Sequence, residues 1–169
     1  MPQQLPMNEN AAYNSAGFST PFLRPLHVLV PVEANMPKQI PVPNELSKPF
    51  WEAVNQKKLM VQLCENGHQQ YPPKPKCQDC GSDKLAWKEV KGRGHVLAVI
   101  TIEDGRIERR KPDQPYNLAV VTLDENPLIN FYSNLPGTPP YQDAEGAPVE
   151  VVFEEVAPGQ LIHEWRVIK

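Results

Sequence analysis

The sequence predicts a mainly β protein: an N-terminal arm and a short helix, then a small metal-holding ribbon, then a β-barrel of five or six strands. Three observations predict it. Prolines crowd the first quarter of the 169-residue chain, where Pro2, Pro6, Pro21, Pro25, Pro31, Pro37, Pro41 and Pro43 interrupt any regular helix or ladder. Three cysteines and a histidine are gathered between Cys64 and Cys80. From Trp87 onward, strand-length apolar runs follow one another with no helical segment among them.

The first 43 residues therefore read as a proline-rich arm rather than a domain. Residues 44–58 read as a helix: Ser47 is placed to cap it, Pro49 suits its first turn, and Glu52 brings negative charge near its start. Phe50, Trp51 and Val54 share a side and predict burial against the domain, the alternative being an exposed patch for a partner. The ribbon is expected over 59–90, entered by the alternating strand Leu59 to Leu63. The barrel is expected over 91–169, with strands in His95 to Ile102, Leu118 to Leu123, Leu128 to Tyr132, Val149 to Val156 and Leu161 to Ile168. In the fourth of these, Val149, Val151 and Phe153 alternate with Glu150, Val152 and Glu154, the pattern of an antiparallel strand with one core face and one wet face. Asp104 to Pro115 carries Arg109, Arg110 and Lys111 and reads as a long projecting loop, a length associated with function.

Composition sets outer limits. The 40% hydrophobic and 22% charged residues are ordinary for a globular chain. No window reaches the roughly 18 apolar residues of a membrane span, and the N-terminus lacks a secretory pattern. A soluble protein of a reducing cytoplasm is the expectation. There an odd count of three cysteines fits metal binding better than disulfides. Net charge is −3, yet Lys57 to Arg93 carries +4 and the remainder −7. Zinc with three thiolates and a neutral imidazole would lower the basic segment to about +3, so that this end could face an anion.

The metal reading follows from ligand chemistry. In Cys77-Gln78-Asp79-Cys80-Gly81 two residues between the sulfurs let both reach one ion, and the glycine lets backbone amides approach the thiolates. Cys64-Glu65-Asn66-Gly67-His68 supplies a second pair, with Gly67 turning the chain and His68 offering nitrogen. Cys64, His68, Cys77 and Cys80 thus make a closed zinc site. The competing reading has Cys77 and Cys80 as buried thiols and His68 as a surface imidazole, which leaves their clustering without a cause. A variant in which His68 gives way to water would open a catalytic position, but no H-E-x-x-H or deaminase-type pattern accompanies the cysteines.

Cys64 to Gly81, with Gln70-Tyr71-Pro72-Pro73-Lys74-Pro75-Lys76 inside it, is followed by Val90-Lys91-Gly92-Arg93-Gly94-His95-Val96. From about Phe50 to the C-terminus this resembles the zinc-ribbon plus OB-fold family that accompanies thiolase-like acyl-CoA enzymes. The Pro-Pro before the second knuckle and the Gly-Arg-Gly turn into the barrel are its most specific features. The chain departs from it where Gly67 occupies the place of a second sulfur and His68 follows. The resemblance implies a rubredoxin-like ribbon, an OB-type barrel, bound zinc, and a non-catalytic subunit in a hetero-oligomer with a thiolase-like catalytic subunit. The family's settings include steroid side-chain breakdown, aromatic-compound degradation and polyketide-type acyl transfer.

Within that expectation, coenzyme A phosphates at a shared acyl-CoA site could be met by Lys74, Lys76, Lys91, Arg93, Arg109, Arg110 or Lys111, although solvated surface is the plainer role for any one lysine or arginine. A second function class is a single-strand nucleic-acid module, which OB barrels also form. Tyr116, Phe131 and Tyr132 could stack on bases, but the chain is acidic and lacks interleaved aromatic and basic residues. A third is a free-standing enzyme built on His95, Asp104 and His163, for which no nucleophile stands at a telling spacing.

Overall fold

The structure, a computed structural model, describes residues 38–106 and 114–168. Only residues 38–43 of the proline-rich arm fall within it, and Arg109, Arg110 and Lys111 lie outside the described residues.

Helix α1 spans Lys48–Asn55, shorter than the expected 44–58, with Pro49 in its first turn. Ser47 sits at the N-cap without capping the helix through its side chain. Its backbone N–H instead donates to Asn44 Oδ1 (2.8 Å), and its hydroxyl accepts from Asn44 N (3.0 Å), a reciprocal turn that stops the helix from starting earlier. Glu52 falls beyond the first turn and pairs at 3.8 Å with Lys48, an exposed contact of little energetic weight. The apolar face is buried as expected: Phe50 and Val54 are enclosed, and Trp51 meets Phe50 edge-on at 5.2 Å.

Three strands form the ribbon: β1 Leu59–Cys64, β2 Gln69–Gln70 and β3 Leu85–Val90, in the order β2-β1-β3. Five form the second sheet: β4 Arg93–Ile102, β5 Tyr116–Leu123, β6 Asn126–Ser133, β7 Pro148–Ala157 and β8 Gln160–Val167, in the order β6-β5-β4-β7-β8. All pairings are antiparallel. Among the described residues the barrel thus has five strands, and its first strand, β4, is shared by a β4-β5-β6 meander and a β7-β8 hairpin. Gly94 makes this sharing possible. An added Cβ there would lie 2.1 Å from the Thr122 carbonyl oxygen, so only glycine lets β4 cross so close to β5. Gly92 turns the chain out of the ribbon at φ +64 against Val151.

Ribbon, helix and barrel share one core. Leu59, Val61 and Val90 of the ribbon join Phe50 and Val54 of α1 and Val96, Val121, Phe131, Val149 and Trp165 of the barrel. Tyr71, from the Pro-Pro segment, is the aromatic tie between the two sheets: its ring lies 4.1 Å from Phe131 and 5.2 Å from Phe50. Burial pushes its phenol up to about 12. Where β6 and β8 meet, side chains supply the closure: Ser133 Oγ donates to Glu164 Oε2 (2.5 Å) and accepts from Trp165 N (2.9 Å).

Candidate metal centre

β1 ends at Cys64, and the turn that follows is closed by two backbone bonds, Gly67 N to the Cys64 carbonyl (2.9 Å) and Cys64 N to the His68 carbonyl (2.9 Å). Gly67 takes φ +86, a conformation glycine adopts at no steric cost, and this brings His68 back over Cys64. The second turn repeats the device. Gly81 N donates to the Cys77 carbonyl (2.9 Å), Cys77 N to the Ser82 carbonyl (2.8 Å), and Gly81 has φ +75. The two turns are pinned to each other by Glu65, whose carboxylate accepts from Ser82 Oγ (2.8 Å) and Lys84 Nζ (3.0 Å).

The four expected side chains converge. The sulfurs of Cys64, Cys77 and Cys80 and a ring nitrogen of His68 all lie within 4.8 Å of one another. Cys64 Sγ is 3.9 Å from Cys80 Sγ, and His68 Nδ1 is 3.4 Å from Cys64 Sγ and 3.6 Å from Cys77 Sγ. Zinc bonds of about 2.3 Å to sulfur and 2.0–2.1 Å to nitrogen, set at tetrahedral angles, put sulfurs about 3.8 Å apart and sulfur and nitrogen about 3.6 Å apart. The donor set therefore fits a tetrahedral zinc. With four protein donors it leaves no open coordination position.

The surroundings favour thiolate. Asn66 Nδ2 donates to Cys80 Sγ at 3.3 Å, and with the Ser82 amide and His68 it pulls the Cys80 thiol down to about 6. Cys80 and Cys77 in turn raise His68 above the usual imidazole range. A cation between them would satisfy all four donors at once.

One supporting feature had no expectation behind it. Beneath the second turn, Gln62 Oε1 accepts from Gln70 Nε2 (2.7 Å) and Lys74 N (2.8 Å), while Gln70 bonds Gln78 N (2.9 Å) and the Lys76 carbonyl (3.2 Å). Two buried glutamine amides thus stitch the 71–78 segment to the ribbon strands, where a larger domain would use apolar packing. Gln62 lies out of phase with the core residues Leu59 and Val61, so alternation along the strand carried no signal for it.

The basic residues take separate places. Lys74 and Lys76 are exposed on the segment held by this glutamine pair, with their backbones engaged and their side chains outward. Lys91 and Arg93 flank Gly92 at the entrance to the barrel, where Arg93 stands across from Glu150, itself bonded by Arg166 (2.7 Å). Of the long loop, the described ends are clasped by Gln114, whose amide bonds both Asp104 N and the Asp104 carbonyl.

The residues of the enzyme reading are engaged by different neighbours. His95 Nδ1 pairs with Asp124 at the surface (2.7 Å), and Arg106 holds the Asp104 carboxyl down to about 2. His163 is packed among Phe50, Trp51 and Phe131, and burial drives its pKa down to about 4. Phe131, considered for base stacking, is fully buried.

A ribbon with three cysteines and one histidine at its tip, followed by a five-stranded barrel whose first strand pairs on both sides, defines a zinc-ribbon plus OB-fold protein. The rubredoxin-like zinc ribbon domain of ChsH2 matches residues 51–86, and the C-terminal OB-fold domain of ChsH2 matches residues 87–154. A DUF35 domain-containing scaffold protein of Pyrococcus furiosus is 31% identical over 120 residues, covering 68% of this chain and 82% of the relative. The chain belongs to this ChsH2-like DUF35 family. The solved Ltp2-ChsH2(DUF35) aldolase contains a chain 28% identical, matched at a TM-score of 0.63 over 75% of this chain and 98% of that one. A DUF35 protein of unknown function from Sulfolobus solfataricus, 19% identical with a TM-score of 0.53 over 74% of this chain and 87% of that one, shares the fold. Among the described residues no helix is long and apolar enough to cross a membrane.

Proposed function

We propose that this chain is a non-catalytic accessory subunit that holds one structural zinc through Cys64, His68, Cys77 and Cys80 and binds a thiolase-like catalytic subunit acting on coenzyme A thioesters. The observation that carries the reading is the kinship with a protein named as a scaffold and with a chain solved in an Ltp2-ChsH2 aldolase. The donor set supports it, because four protein ligands around one ion give rigidity and offer substrate no open position. When bound, zinc supplies the cross-link between the two turns. The chain's own residues do the rest: Tyr71 and Phe50 seat the ribbon on the barrel, and the glutamine pair fixes the segment that bears Lys74 and Lys76.

In the assembled complex, acyl-CoA would lie at the shared site. Lys74, Lys76, Lys91 and Arg93 are the described candidates for its phosphates, with Arg109, Arg110 and Lys111 as further ones. Lys74 and Lys76 are the better placed of the described four, since the carboxylate of Glu150 faces Arg93.

Co-expression with a thiolase-fold protein from the same organism tests the reading. The expected result is a hetero-oligomer with one zinc per copy of this chain, and acyl-CoA turnover that requires the partner. Turnover by the isolated chain, or a partner that neither associates nor gains activity, would overturn it.

A further inference from the structure

The outer face of the β4-β5-β6 meander has the composition of a buried surface. The register places Ala98, Val120 and Tyr132 in one row across the three strands and Ile100 and Leu118 in the next. The opposite side of the same strands, Val96, Val121 and Phe131, is core. Leu128 is 89% exposed, Tyr132 73%, Ile100 56%, and Leu97, at the irregularity in β4, 54%. From Gly94 to Ile102, Tyr116 to Leu123 and Asn126 to Ser133 not one Asp, Glu, Lys or Arg occurs. The β7-β8 hairpin of the same sheet carries Glu150, Glu154, Glu155, Glu164 and Arg166. A half-wet antiparallel sheet ordinarily alternates core residues with charged ones, as β7 does; past Arg93, the first residue of β4, these three strands do not.

We propose that this charge-free face is the surface against which the catalytic partner packs. The inference rests on the reading of the chain as an accessory subunit. Among the described residues the cation that a polyanion or an anionic lipid surface would find is Arg93, at the margin of the face and opposite Glu150. The edge of β6 has Pro127, with no N–H to offer, near its start and meets β8 through Ser133 at its end, so a further strand adds poorly there and contact is through the face. Three strands about 4.8 Å apart and some six residues long at about 3.3 Å per residue present roughly 300 Å². Two copies meeting face to face would then bury about 600 Å², the scale of crystal packing, whereas a stable interface takes about 800 Å² from each side. A larger partner meets that need by continuing past the end of β4 onto Tyr141, which is 67% exposed and held there by its hydroxyl bond to Glu103 (2.8 Å) and by Thr101 Oγ1 donating to the Pro140 carbonyl (2.6 Å).

The test compares the full chain with its Leu128→Glu/Tyr132→Glu variant, each co-expressed with a thiolase-fold protein from the same organism. Both variant side chains point to solvent, so the melting temperature and zinc content of the isolated chain should hold. The expected result is a complex weakened more than about 100-fold, the loss of two central contacts. Undiminished affinity in the variant would overturn this surface while leaving the accessory role standing. A wild-type chain that binds no such partner would overturn both. A wild-type dimer that the variant dissolves, or oligonucleotide binding at low salt that the variant abolishes, would assign the face to a different occupant and overturn the proposal.

Discussion

The ammonium of Lys38 lies 3.3 Å from Glu164, a carboxylate whose side chain is only 7% exposed, and 2.6 Å from Glu154. Burial works against the Lys38 charge, but the bond to Glu154 and the field of Glu164 outweigh it and hold the ammonium above the ordinary lysine range. Glu164 also accepts from Ser133, so the chain just ahead of α1 is tied to the seam where β6 meets β8.

Lys38→Met is therefore expected to cost about 2 kcal/mol. That is below the 3–5 kcal/mol of a fully buried pair, because Glu154 is partly solvated. Glu164→Gln removes the stranded charge, so the double variant should lose less than the sum of the singles. Urea denaturation of the four proteins reads this directly, and strict additivity would show that the seam does not depend on Lys38.

The metal site makes a second prediction. Loss of one ligand in four removes about a quarter of the ~10–16 kcal/mol that structural zinc supplies, so His68→Ala should weaken zinc roughly 100- to 1,000-fold. His68→Cys restores a closed site and should retain the ion. Competition with a chromophoric chelator measures both. Zinc held equally well by His68→Ala would place the fourth ligand elsewhere.

His163 predicts the acid limb of stability. Its folded pKa of about 4 lies below the ~6.5 of an unfolded histidine, so between those values the unfolded chain binds a proton that the folded one refuses. Its contribution is undiminished above about pH 6.5 and falls as the pH drops toward 4, by up to about 3 kcal/mol. Denaturation at pH 7 and pH 4.5 should show a smaller drop for His163→Leu than for wild type. Equal drops would mean that the ring is not held neutral by its aromatic enclosure.

These features differ in how far they could be seen beforehand. The cluster that could hold a metal was legible because metal sites impose close spacing, and Cys64, His68, Cys77 and Cys80 converge through the two glycine turns they possess. The barrel strands were legible from period-2 runs such as Val149 to Glu154. The cap was not: Ser47 and Asn44 are both good capping residues, and only the fold decides which bonds the other. Nor was the seam. Glu164 reads as a wet residue of an alternating strand, and it is buried because Lys38 and Ser133, 126 and 31 positions away, satisfy it. The Gln62–Gln70 staple escaped for a related reason, since a buried amide announces itself only through the partners the fold brings to it.

Two glycines separate steric need from conformational need. An added Cβ at Gly94 would meet the Thr122 carbonyl at 2.1 Å, and backbone oxygen cannot rotate aside as a side chain can. Gly94→Ala must then push β4 off β5 at the point where both halves of the barrel join. A loss of about 3 kcal/mol or more is expected, of the order of severe overpacking. At Gly67 nothing lies within 4 Å of the added Cβ, but φ is +86. Gly67→Ala should cost only about 1–2 kcal/mol, the strain of a side chain in the left-handed region, and should appear chiefly as weaker zinc binding. Thermal melts with and without chelator distinguish the two: the Gly94 variant is destabilised in both, whereas the Gly67 defect shrinks once zinc is gone. A Gly94→Ala protein that melts with wild type would mean that β4 and β5 have room to separate, and that the shared strand is not the pivot of the barrel.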